Sequence, residues 1–170
     1  PPTRRAITPC HEASDECLFF HLDADDTITE IGGRTLADIE QSRPDLRRDV
    51  VGTNFFDHVA GHFTKKFLRE FLETVRRRNM SAKRLYRCDS PVQKRLMELT
   101  AAPAPGFGLR LEHRTVELAA LPNAIDFRPA TAAGQARFLR CSHCNRLSPP
   151  RSGEWREPEQ WVMKIGRAHV

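Results

Sequence analysis

Residues Val50–Asn79 read VVGTNFFDHVAGHFTKKFLREFLETVRRRN, and the second half of that run decides the fold. Phe63, Phe67, Phe71 and Val75 recur every four residues, with Leu68 and Leu72 beside them, and so draw an apolar stripe down one face of a helix. Lys65, Lys66, Arg69, Glu70, Glu73 and Arg76–Arg78 fall on the other face. The pattern predicts that Phe63, Phe67, Phe71, Leu72 and Val75 are buried against a sheet, with Lys66, Arg69, Glu73 and Arg77 exposed. Thr64 is the expected N-cap, with Phe63 before it and Leu68 after it as a hydrophobic staple. Arg76–Arg78 lie where the carbonyl end of the helix dipole favours cations, and Asn79 suits a left-handed stop.

Working outward, two strand-like runs precede the helix and three follow it. Cys17–Leu22 (CLFFHL) and Thr27–Ile31 (TITEI) flank the acidic turn Asp23–Asp26 and read as a hairpin. Three Asp in a tight turn serve as side-chain caps of their own backbone, the ordinary alternative to holding a cation. Arg34–Arg48 is weakly helical and interrupted at Pro44, and Gly52 is expected to supply a conformation that other residues resist. After the helix, Lys83–Cys88, Lys94–Thr100 and Leu109–Leu118 alternate apolar and polar residues as half-buried antiparallel strands do. Asp89–Pro91 and Pro103–Gly108 are the turns between them. The order predicts an α+β fold, a five-stranded antiparallel sheet with helices on one face.

The 170 residues, 39% apolar and 29% charged, suffice for one domain and an appendage. No apolar run approaches the roughly 20 residues of a membrane span, and Pro1–Glu16 lacks the apolar centre of a signal peptide. There is no initiator Met, so the start is expected to be processed or missing. Five Cys, an odd number, favour a reducing and hence cytoplasmic setting over a disulfide framework. The net charge of +5 is not interleaved with aromatics on a recognition element, so nucleic acid is not an expected partner.

The Asp-tipped hairpin, the segment Val50-Val51-Gly52 through Phe55-Phe56-Asp57-His58-Val59, the long helix and the three strands together resemble a PAS domain over Cys17–Leu121. Tyr86-Arg87-Cys88-Asp89-Ser90-Pro91, followed by Arg95-Leu96-Met97-Glu98, is similar to a subgroup of bacterial PAS-like proteins that end in a Cys-rich module. The resemblance implies a sensory or signalling domain that encloses a small ligand or meets a protein partner, a homodimer among the forms it could take. A flavin-adduct motif is absent; haem would need an axial ligand, for which His58, His62 and His113 are the candidates. A surface or core histidine is the plainer account of each.

Cys141-Ser142-His143-Cys144 is the sharpest local motif, because two thiolates at this spacing supply half of a tetrahedral zinc site. A thiol oxidoreductase at Cys141/Cys144 and a nucleic-acid-binding protein using this knuckle and the basic helix face are the rival readings. Arg87, Asp89 and Arg95 could form an anion-binding or general-base cluster, although an ordinary cross-strand ion pair without function is the favoured account. No catalytic motif is present, and no enzyme activity is expected. The expected layout is a flexible tail at 1–16, the PAS-like domain at 17–121, a linker at 122–136 and a partial zinc-ribbon-like module at 137–163. The segment 164–170 matches what one frame of a common sequencing adapter encodes and is expected to be read-through. With the remaining ligands placed beyond it, Ser142–Met163, including Trp155 and Trp161, is expected to be poorly packed.

Overall fold

The computed structural model describes residues 17–33, 45–122, 124–125, 138–141 and 143–165. In chain order the elements are β1 (Cys17–Leu22), β2 (Ile28–Gly32), α1 (Leu46–Val50), a 3₁₀ turn (Phe55–His58), α2 (His62–Arg78), β3 (Ala82–Arg87), β4 (Gln93–Pro103), β5 (Leu109–Ala120), β6 (Leu139–Arg140), β7 (Leu147–Ser148) and α3 (Pro158–Ile165). The first five strands make a five-stranded antiparallel sheet in the order β2-β1-β5-β4-β3, so the α+β class follows as expected. The tail, residues 34–44 with Pro44, most of the linker and Gly166–Val170 lie outside the described residues. Among the described residues, no helix is long and apolar enough to cross a membrane.

The chain forms two compact units, one built from residues up to Arg84 with Leu99–Arg114, the other from Leu85–Glu98 with the residues from Thr115 onward. In the first unit, β1 pairs antiparallel with β2 (Phe20 opposite Ile31) and with β5 (Phe20 opposite Leu111, Leu22 opposite Leu109). Period-2 alternation puts Leu22, Leu109 and Leu111 on one face of the sheet, where they are buried along with Ile28, Val50, Phe55 and Phe56, while Phe19 is buried on the other face beneath the Arg110 guanidinium, 4.1 Å from its ring. Gly52 has φ +87°, and its N–H donates to Ile28 O at 2.8 Å, which is why a side-chain-free residue stands there.

The acidic turn is closed by its own side chain. Asp23 Oδ1 accepts from the N–H groups of Asp25 (2.9 Å) and Thr27 (2.8 Å), an Asx arrangement. Asp26 instead reaches Arg76 of α2 at 2.6 Å, and Arg76 also donates to Asp23 O and Phe107 O. Two of the three carboxylates are therefore engaged by protein donors.

Helix α2 buries Phe71, Leu72 and Val75, with Leu68 half-buried, the i, i+3, i+4, i+7 set. Two expectations fail at its start. Phe63 is 81% exposed and Phe67 43% exposed. The reason is rotational: four residues exceed one turn of 3.6, so a run of i+4 steps advances about 40° each time and carries Phe63 off the buried face. Thr64 is not the N-cap either. Gly61, with φ 85° and no side-chain cap, holds that place, and Thr64 lies within the first turn. Lys66, Arg69, Glu73 and Arg77 are exposed as expected. At the other end, Asn79 is left-handed (φ 46°, ψ 43°). Its N–H bonds Arg76 O and that of Met80 bonds Val75 O, the paired closure of a Schellman motif.

Candidate functional site

In the first unit, a groove of about 270 Å³ runs between α2 and the start of β3. Phe67, Phe71, Val75 and Met80 form its apolar surface, with Arg78 and Arg84 on the rim against Glu70. The rings of Phe67 and Phe71 stack with centroids 6.2 Å apart and planes 4° apart, and the Arg84 guanidinium stands 5.2 Å over Phe71. The groove exists because Phe67 turns away from the core while Phe71 enters it, so the stripe splits there. Two cations against one carboxylate leave the rim positive.

The histidines fall elsewhere. His58 bonds the Thr53 hydroxyl at 2.7 Å, and His62 is an exposed residue at the start of α2 whose ring meets Phe63. His113 on β5 packs edge-on against Phe20 with centroids 5.7 Å apart. Its Nε2 is shut off from solvent although the residue as a whole is half-buried, and burial lowers its pKa to about 4. None of the three lines the groove.

In the second unit, β6 and β7 pair antiparallel and the Cys motif forms the tip between them. Cys141 N–H bonds Arg146 O at 2.9 Å, Asn145 N–H bonds Cys141 O at 3.0 Å, and Asn145 takes φ 61° to turn the corner. Burial opposes ionisation of the Cys141 thiol. The backbone N–H groups of Cys144 and His143, the Cys144 thiol and the charge of Arg146 outweigh it and hold the pKa below the ordinary thiol value.

The hairpin has a firm base, which corrects the expectation of loose packing. Leu147 and Trp161 are 1% and 5% exposed, Trp161 Nε1 donates to Leu147 O at 3.0 Å, and Leu147 exchanges backbone bonds with Arg156. The indole is buried because its one polar atom finds an acceptor. Trp155, 44% exposed, behaves as expected. Cys141, Cys144 and the exposed Cys88 are free thiols, whereas Cys17 is disulfide-bonded, against the expectation from cysteine number.

Arg87, Asp89 and Arg95 do come together. Arg87 grips Asp89 in bidentate fashion, and the backbone N–H of Arg95 reaches Asp89 Oδ1 at 2.9 Å. The Arg95 side chain turns instead to Cys88 O at 2.8 Å. Glu157 accepts from Arg87 (3.4 Å) and Arg146 (3.3 Å) and lies 3.5 Å from Lys94, which also pairs with Glu159. With its oxygens taken, Asp89 is not available as a general base. The arrangement is a clasp that also ties the knuckle, because Arg87 N–H bonds His143 O at 2.8 Å. Glu157, Glu159, Lys94 and the groove were not legible in the sequence, since their partners lie far apart along the chain. No protein-family model matches this chain, and no curated protein matches it.

Proposed function

We propose that this chain is a non-catalytic, PAS-like sensory or signalling module whose groove between α2 and β3 takes a small apolar anion. The observation that carries the reading is the stacked Phe67–Phe71 pair, half in and half out of the core, with Arg84 over Phe71 and Arg78 also lining the groove. An apolar ring with an acidic group satisfies both parts of that surface, and the clefts that bind small molecules combine them in the same way. The order of hairpin, long helix and three strands within one sheet supports the PAS-like part of the reading. A ligand seated on Phe67 would favour one packing of α2 over another, and that differential contact is what a sensor must convert into a signal. A zinc-binding role for Cys141 and Cys144 belongs to the same reading, since two thiols at this spacing are a fitting donor pair.

The test is a fluorescence titration of the full chain with 8-anilinonaphthalene-1-sulfonate, an apolar anion. The expected result is one saturable site per chain, weakened about tenfold or more by Phe67→Ser or Arg84→Ala and unchanged by Arg69→Ala. Binding that ignores Phe67→Ser and Arg84→Ala, or no saturable binding, overturns the reading. Enhancement displaced only by a purified protein partner would move the occupant from a small ligand to that partner.

A further inference from the structure

The Cys141/Cys144 tip has half of what a tetrahedral thiophilic cation needs. A structural zinc site takes four ligands, and two thiolates alone hold the metal weakly. Among the described residues, no third His, Cys, Asp or Glu joins the pair in a metal-sized group. Yet the pair is built as ligands are built. It sits at the tip of a short hairpin, both cysteines are half-buried, and the turn that carries them is closed by Cys141 N–H to Arg146 O at 2.9 Å and Asn145 N–H to Cys141 O at 3.0 Å. Trp161 and the Arg87–Glu157–Arg146 ion pairs hold the hairpin from below, so the tip is rigid before any metal arrives.

We propose that Cys141 and Cys144 bind one zinc ion jointly with the same two residues of a second copy of this chain. Two identical tips related by a two-fold axis present four sulfurs around a point on that axis, the self-complementary contact that closed dimers use. Charge supports this occupant. Four thiolates around Zn²⁺ leave two negative charges, and each copy brings Arg140 and Arg146 immediately beside its knuckle. This inference uses only the second unit and stands apart from the groove.

The experiment is zinc analysis and light scattering on the full chain, purified under reducing, chelator-free conditions. One zinc per two chains in a dimer is the expected result, with reversion to monomer on adding a chelator and restoration on adding zinc. Cys144→Ser should abolish both metal and dimer. Cobalt substituted into the wild-type chain should show sulfur-to-metal charge transfer of a four-thiolate site, a readout that does not depend on a variant folding. One zinc per monomeric chain, a dimer that survives chelation, or recovery of a metal-free Cys141–Cys144 disulfide under these conditions each overturns the proposal.

Discussion

Arg87 holds Asp89 through two parallel contacts, Nη2 to Oδ2 at 2.5 Å and Nε to Oδ1 at 2.9 Å, with the Asp89 side chain 5% exposed. Burial raises the carboxyl pKa, but the Arg87 contacts and the Arg95 N–H outweigh it, and the folded value lies below the ordinary one. A depressed carboxylate contributes stability that is fully present above its unfolded pKa of about 3.9 and lost as pH falls through the folded value. Asp89→Ala leaves Arg87 half-paired in a covered place, and roughly 3 kcal/mol should be lost in urea unfolding at neutral pH. Asp89→Asn should in addition remove the part of the acid sensitivity that develops below about pH 4.

His113 titrates in another window. Its folded pKa of about 4 lies below the ordinary 6.5, so the unfolded chain takes up the proton first as pH falls. Stability is therefore complete above about pH 6.5 and declines toward pH 4, by on the order of 3 kcal/mol if the ring stays covered. Denaturant midpoints measured from pH 7.5 to 4.5 should slope downward in the wild type and flatten in His113→Gln. Equal slopes in the two proteins would show that another group carries the transition.

Along α2, truncation should separate three phenylalanines that share one spacing. Phe71→Ala, at 6% exposure, should cost about 3–5 kcal/mol through lost transfer energy and a cavity. Phe67→Ala should cost less than half of that, and Phe63→Ala, at 81% exposure, within about 0.5 kcal/mol of nothing. Thermal unfolding of the three variants orders them directly.

Asn79 gives a backbone test. Its left-handed φ of 46° is tolerated by Asn and natural to Gly, and is resisted by β-branched residues. Asn79→Gly should be neutral or slightly stabilising, whereas Asn79→Val should cost about 1–2 kcal/mol. Similar losses in both variants would mean that the Asn side chain, rather than the turn, is what matters.

These contrasts mark what one-dimensional pattern can carry. The five strands, the Asx turn at Asp23, the Asn79 stop and the Gly52 conformation were legible because each depends on residues within a few positions. The turn that carries Cys141 and Cys144 is local in the same sense, its backbone bonds joining Cys141 to Asn145 and Arg146. The side of α2 occupied by Phe63 and Phe67 was not, since a four-residue spacing fits the stripe locally and drifts from it over three turns. Lys94 meeting Glu159, and Trp161 finding Leu147 O, depend on how the chain returns from Thr115 onward, which no local spacing encodes.

The Gly52 turn has a bearing on how copies of this chain can meet. β2 is an outer strand of the sheet, and an outer strand with open backbone groups invites pairing with another molecule. Here Ile28 is already satisfied from that side, its N–H donating to Thr53 O at 2.9 Å and its carbonyl accepting from Gly52, with Thr27 bridged to Asn54. The chain blunts the start of its own edge with a segment that cannot slide, because Gly52 alone fits the bend. Replacing Gly52 by a β-branched residue would pull that cover away and expose a template for strand addition, so the expected phenotype is aggregation on concentration.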